Sequence, residues 1–184
     1  MAGIESKELI KEYLLNNNGI ILKTNVIKAD HDGTAIENAR KWAEQNKQII
    51  FREDIGNVIF NVSGVKDSLS HGFGQKKLDA IPALPVVIKT GKIVCISSDF
   101  DGKPKKYIII MAPIIYENRK NILAVRLVKN VGDNNRFYVH EVIGMPDKNK
   151  KGNTIRPSAL DLTAHPQGGT ALYLNILQDI WNVQ

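Results

Sequence analysis

The chain has 184 residues, of which 43% are hydrophobic and 24% charged, and its formal net charge is +6. That length suits one domain with an appendage, and the composition excludes wholesale disorder, collagen and coiled-coil rods. No apolar run reaches the ~18 residues a membrane-spanning helix needs.

Helical spacing of Leu9, Ile10, Tyr13 and Leu14 predicts a helix over Ser6–Leu15, which Asn16-Asn17-Asn18-Gly19 ends. Ile20-Ile21-Leu22 reads as a short strand or a buried connector. Asp30 to Thr34 forms a turn and an N-cap, with Glu37 as capping-box partner, and opens a helix over Ala35–Lys47. That helix is expected to bury Ile36, Ala39, Trp42 and Ala43. Two short strands follow, Ile49–Arg52 and Val58–Val62. Residues 65–78 form a polar segment punctuated by glycine, in which Lys76 and Lys77 read on their own as a helix-start charge run. Pro82 and Pro85 suit the first turn of a helix over Asp79–Thr90, and Gly91 suits its end.

Strands dominate thereafter: Lys92–Ser97, Tyr107–Tyr116, Ile122–Val131 and Arg136–Ile143. Asp101-Gly102, Glu117-Asn118 and Gly132-Asp133-Asn134 supply the turns between them. Pro113 cannot donate to a ladder, so it marks a bulge or an edge. Helices first and antiparallel strands afterwards give an α+β fold, with N-terminal helices on a four- to five-stranded antiparallel sheet. Residues 1–145 make the domain. Residues 146–184 make a tail, whose amphipathic helix over Thr170–Trp181 docks back on the domain.

The charge is unevenly placed. Residues 1–60 carry 8 Lys/Arg and 9 Asp/Glu, a balance of −1, so residues 61–184 carry 17 and 10, a balance of +7. A polyanion such as RNA is the expected partner of such a surface, with binding that weakens in salt. The competing view is a solvated lysine-rich face. Glu5, Lys7 and Glu8 stand where a signal peptide would be apolar. Cys95 is the only cysteine and has no internal partner. A soluble protein of a reducing compartment, the cytoplasm, is therefore expected, with no membrane partner.

Nucleotide and metal chemistry lack their signatures. There is no Walker loop, no dinucleotide fingerprint, no nucleophile elbow and no paired His/Cys spacing, so no cofactor and no metal are expected. Cys95 sits in an apolar strand and reads as a packed thiol. What stands out is Asp67-Ser68-Leu69-Ser70-His71-Gly72-Phe73-Gly74-Gln75-Lys76-Lys77, which gathers hydroxyls, an imidazole and two ammonium groups. Metal-independent RNA cleavage needs such groups: a base for the ribose 2′-OH, cations for the phosphate and an acid for the leaving 5′-oxygen. Histidine suits either proton role near neutrality.

A second cluster lies downstream. Arg126 interrupts an apolar strand and shares its face with Ala124 and Val128; Arg136, Tyr138 and His140 share a face of the next strand. If hairpin register aligns them, one sheet surface presents guanidinium, phenol and imidazole together. The bland alternative is an ion pair of Arg126 with Glu141. His31 and His165 read as bystanders.

Lys66-Asp-Ser-Leu-Ser-His-Gly, then Lys76-Lys-Leu-Asp-Ala-Ile-Pro-Ala-Leu-Pro, Gly91-Lys-Ile-Val and the runs Tyr107–Ile115 and Ile122–Lys129 together resemble a known family. It is the phage- and mobile-element-associated nuclease-like domain of the barnase–EndoU–colicin–RelE fold group, found in phage head-morphogenesis and large polyvalent proteins. The resemblance, strongest over residues 35–145, implies helices packed on an antiparallel sheet and a toxin-like endoribonuclease acting on transfer or messenger RNA. It also implies that the site draws on Ser68, His71, Lys76 or Lys77, and Arg126, with Tyr138 and His140 beside them.

In that reading His71 is general base or acid, and Arg126 with Lys76 or Lys77 holds the phosphate. His140 or Tyr138 is the partner acid. Ser68, Ser70 and Arg136 bind substrate. A cognate inhibitor or immunity protein is a further expected partner. Two other classes compete: a non-catalytic module that binds nucleic acid or protein through the same basic face, and an inhibitor that uses its acidic N-terminal third.

Overall fold

The computed structural model describes residues 6–28, 34–70, 74–98, 105–130 and 136–144, the last stretch as backbone. In chain order it has α1 (Lys7–Asn16), β1 (Ile20–Ile21), α2 (Thr34–Gln45), β2 (Gln48–Arg52), β3 (Gly56–Phe60), α3 (Val62–Ser70) and α4 (Gln75–Ala80). A 3-10 turn (Ile81–Ala83), α5 (Leu84–Thr90), β4 (Lys92–Ser98), β5 (Lys105–Tyr116), β6 (Arg119–Asn130) and β7 (Arg136–Gly144) complete it. The fold is α+β, as expected. The tail and its amphipathic helix, and the turns at Asp30–Gly33, Asp101-Gly102 and Gly132–Asn134, lie outside the described residues.

The strands form one mixed sheet in the order β1-β5-β6-β7-β3-β2, with β4 also paired to β5. This is a larger sheet than the four to five strands expected. Moreover, β1 runs parallel to β5 and β3 parallel to β7, whereas the other pairings are antiparallel. Both parallel pairings join strands far apart in sequence, which hairpin signals cannot reveal. β5 and β6 pair along their whole length, Lys105 with Asn130 through to Tyr116 with Arg119. Their tight turn puts Glu117 and Asn118 at φ 50° and 59°, the left-handed pair of a two-residue hairpin. Pro113 falls between the last rung of β4, at Met111, and the first of β1, at Ile114. The ladder on that side is interrupted there, so the missing N–H costs little.

Helix positions differ from expectation in two places. Residues 62–70 and 75–80 form α3 and α4, where the sequence marks only a polar segment punctuated by glycine. Val65, Leu69 and Leu78 are buried there, so tertiary packing supplies what weak local propensity does not. In α2 the buried positions are Ala35, Ala39 and Ala43, while Ile36 is exposed. The small side chains let α2 lie close to its neighbours, so its face is rotated from the one that bulk alone suggests.

Two cores lie on the two faces of the sheet. Ile108, Ile110, Ala112 and Ile114 of β5, with Leu123, Val125 and Leu127 of β6, join α2–α5 in the larger core. The alternate positions, including Ile109, Met111, Ile122 and Ala124, are buried as well. α1 packs on that second face. Lys92 and Lys120 are register partners of Met111 and Ile115, and both reach α1: Lys92 Nζ lies 5.6 Å from the Tyr13 ring centre, and Lys120 Nζ donates to the Leu15 carbonyl. Ile10 and Leu14 of α1 are buried. β5 therefore carries almost no polar face, which fits its near-continuous apolar sequence.

Arg52 ties the β2–β3 hairpin to the end of α5. Its Nε and Nη2 donate to Asp54 at 2.6 and 2.9 Å, and its Nη1 donates to the carbonyls of Ile88 and Gly91 at 2.8 and 2.7 Å. A cation at a helix C-terminus satisfies orphan carbonyls and complements the helix dipole. Gly91 has φ −70°, so glycine is needed there for space. A Cβ would stand 2.7 Å from the carbonyl oxygens of Val87 and Met111.

Arg52→Ala should lower unfolding free energy by roughly 2–3 kcal/mol, since hydrogen bonds to charged groups contribute about 1.5–3 kcal/mol each and partners are only partly recovered by water. Gly91→Ala should cost about 1–3 kcal/mol through overpacking. Urea denaturation followed by circular dichroism checks both; unchanged midpoints would mean that α5 is not fixed by these contacts.

Candidate functional site

The sheet separates the two clusters that the sequence singles out. Lys76 and Lys77 sit on α4, on the side of the larger core, and both are partly exposed. Lys76 Nζ lies 5.7 Å from the centre of the Tyr116 ring, a cation–π distance. Ser68 is wholly buried in α3, which keeps its hydroxyl inside the fold. Ser70 ends that helix, and His71 lies outside the described residues.

Arg126 is on the opposite face. It pairs in register with Ile109, and its guanidinium carbon lies 5.7 Å from the Tyr107 ring centre. It is 8% exposed. One phosphate cannot be held by Arg126 and by Lys76 or Lys77 together, because β5 and β6 stand between them.

The β6–β7 register brings other candidates close to Arg126. Arg126 pairs with Glu141, Leu127 with Val139 and Val128 with Tyr138. The register shift between Arg126 and Leu127 leaves His140 as the extra residue of a bulge, next to the Arg126 rung. Bulges locally interrupt a ladder and re-aim the residues around them, and they recur beside active sites. Arg136 opens β7 and pairs with Asn57 of β3, farther along the strand. Glu141 faces Arg126 across the ladder, the position that an ion pair would need.

Asp79, which the sequence marks only as a helix start, is a buried carboxylate with several hydrogen-bond donors around it. It is 1% exposed. Its Oδ1 accepts from the Asn25 backbone N–H and from Gln75 Nε2, both at 2.7 Å, and its Oδ2 accepts from the Tyr116 hydroxyl at 3.1 Å. Gln75 also donates to the Ile27 carbonyl at 2.8 Å. Asn25 adopts φ 58°, a left-handed conformation that asparagine tolerates. The carboxylate thus anchors the chain around Asn25–Ile27 to α4 and to the end of β5. An acidic residue amid apolar neighbours was the one signal for it in the sequence.

Two titrating groups follow from these surroundings. Burial and the hydrogen bond to Asp79 push Tyr116 up to about 12. Burial pushes the Cys95 thiol up to about 11, which fits a packed, unreactive side chain. Among the described residues no three His, Cys, Asp or Glu side chains gather as a metal site, and no helix is long and apolar enough to cross a membrane.

Tyr116 is favoured in its neutral form by the fold, so its contribution is complete below about pH 10 and should be lost as pH rises from 10 towards 12. Tyr116→Phe should remove that alkaline loss and cost about 1–2 kcal/mol at neutral pH, because a buried acceptor loses its donor. Denaturation midpoints at graded pH check this; equal alkaline slopes for both proteins would contradict it. Cys95 should react with Ellman's reagent only after unfolding, and rapid labelling of the native protein would show the strand to be open.

In comparison with known families, the model of large polyvalent protein-associated domain 3 matches residues 31–138. It takes in α2–α5, β2–β6 and the first rungs of β7, and so every candidate residue but His140. No curated protein and no solved structure matches. The association with large polyvalent proteins is thus as the resemblance implied, while the match does not speak to nuclease chemistry.

Proposed function

This chain belongs to the large polyvalent protein-associated domain 3 family, and from that premise we propose that it is a toxin-like, metal-independent endoribonuclease of a phage or mobile element. The observation that carries this reading is the β6–β7 register, in which the bulge at His140 adjoins Arg126 and Tyr138 pairs with Val128 one rung beyond Leu127. Guanidinium, imidazole and phenol can supply the phosphate-binding cation, the base and the acid that transesterification by a ribose 2′-OH requires. Arg126 would hold the scissile phosphate and stabilise charge building on it. His140 and Tyr138 would divide the proton transfers: one takes the 2′-OH proton, the other protonates the leaving 5′-oxygen. The products are a 2′,3′-cyclic phosphate and a 5′-hydroxyl. His71, Lys76 and Lys77, in the segment before β4, would attract and orient the RNA through the basic excess of residues 61–184, with His71 the alternative proton carrier.

A second reading has its own support. Arg126 is 8% exposed and stacked on Tyr107, and Lys76 and Lys77 lie across the sheet from it. A non-catalytic module that binds nucleic acid electrostatically needs no assembled centre.

Total RNA, or separately transfer and messenger RNA, incubated with the protein in EDTA distinguishes the two. Cleavage should give discrete fragments with cyclic-phosphate ends, and His140→Ala should slow it by about 10²–10⁴-fold. His71→Ala in parallel identifies which histidine moves the proton. Intact RNA, with binding that weakens steeply as salt is raised, would replace the nuclease by the binding module.

A further inference from the structure

β2 is the outer strand of the sheet, paired on one side with β3 and, among the described residues, with nothing on the other. Such an edge offers a row of unpaired backbone groups, which proteins usually protect with proline, a bulge, an inward charge or a cover. β2 has no proline or register shift, and the guanidinium of Arg52 is engaged with Asp54 and the end of α5. Its outward residues are apolar and exposed: Ile49 is 62% and Phe51 67% exposed. Ile59, the β3 partner of Ile49, continues that apolar face inward.

The segment Lys47-Gln48-Ile49-Ile50-Phe51-Arg52-Glu53 is self-complementary when laid antiparallel on itself. With Ile50 on a two-fold axis, Lys47 meets Glu53 of the second copy at both ends. Gln48 meets Arg52, and Ile49 meets Phe51. Opposite charges and apolar–aromatic pairs directly across a ladder are the favourable combinations. A two-fold interface demands this reciprocity, since each residue must suit its partner twice. Lys47 and Glu53 are both exposed; Lys47 pairs with Glu44 at 2.5 Å on the surface, a solvent-exposed contact that contributes little and that it would exchange for Glu53 of the second copy. The joined sheets would run Ile59, Ile49 and the copy's Phe51 side by side, with the reverse order related by the axis.

We propose that β2 is a self-association edge: two copies of this chain pair β2 against β2, antiparallel and centred on Ile50, making one continuous sheet. The occupant is a second copy because the charge pattern of the segment complements itself, not merely any strand. Dimers of this kind leave both the β6–β7 region and α4 uncovered by the pairing, so the inference stands apart from the nuclease reading.

Sedimentation equilibrium of the wild-type protein over about a hundredfold concentration range tests it, since self-association is governed by mass action. The expected mass rises from monomer to dimer and stops there. Phe51→Lys, at an exposed position, should hold the protein at monomer mass, with a thermal midpoint equal to that of the wild type at concentrations where the wild type is monomeric. A mixture of Ile49→Cys and Phe51→Cys chains should give a disulfide-linked heterodimer under mild oxidation, faster than either variant alone. Monomer mass at every concentration would overturn the proposal, and so would a dimer that survives Phe51→Lys. A cross-link formed as fast within each variant alone would overturn the register.

Discussion

Side chains alternate across a strand, and in β5 and β6 both alternating sets are apolar and buried. The rest of the molecule follows from that. A strand pair apolar on both faces must be covered on both, so α2–α5 form one layer and α1 contributes to the other. The same alternation decides which functional groups can meet. Arg126 belongs with Tyr107, Ile109 and the neighbouring rungs of β7, whereas Lys76 and Lys77 belong with Tyr116 and the larger core. Sequence proximity to a common motif cannot override a sheet standing between two side chains.

Polar contacts then fix the ends of the elements. Arg52 joins a hairpin to the last turn of α5, and Asp79 joins a left-handed turn at Asn25 to α4 and the end of β5. Each acts because it is largely removed from water and held by several hydrogen bonds, which makes its interactions directional where the apolar core is not. Tyr116 connects these two kinds of order, since its ring faces the core side and its hydroxyl serves Asp79.

Much of this fold was legible in the sequence. The periodicities of α1 and of the β4–β6 run gave their positions closely, and Glu117-Asn118 marked the hairpin turn. The helical state of α3 was hidden because Gly64, Ser63, Ser68 and Ser70 have weak local preference and tertiary packing decides the outcome. Ile36 misled because apolar character was weighed over the small alanines that pack α2. For the site, residue types were readable but their arrangement was not. Whether Arg126 neighbours His140 depends on a one-residue bulge in β7, which no periodicity encodes. Asp79 was overlooked since two of its partners, Asn25 and Tyr116, come from distant parts of the chain.

Under the proposed function, nucleic acid would be engaged at the β6–β7 face around Arg126, with α4 in a supporting role across the sheet. Backbone amide chemical-shift mapping on addition of a short single-stranded RNA probes that directly. The largest shifts are expected at residues 124–128 and 138–142, with smaller ones at Lys76 and Lys77. Shifts confined to α4 and its flanks, with β6 and β7 unmoved, would contradict it.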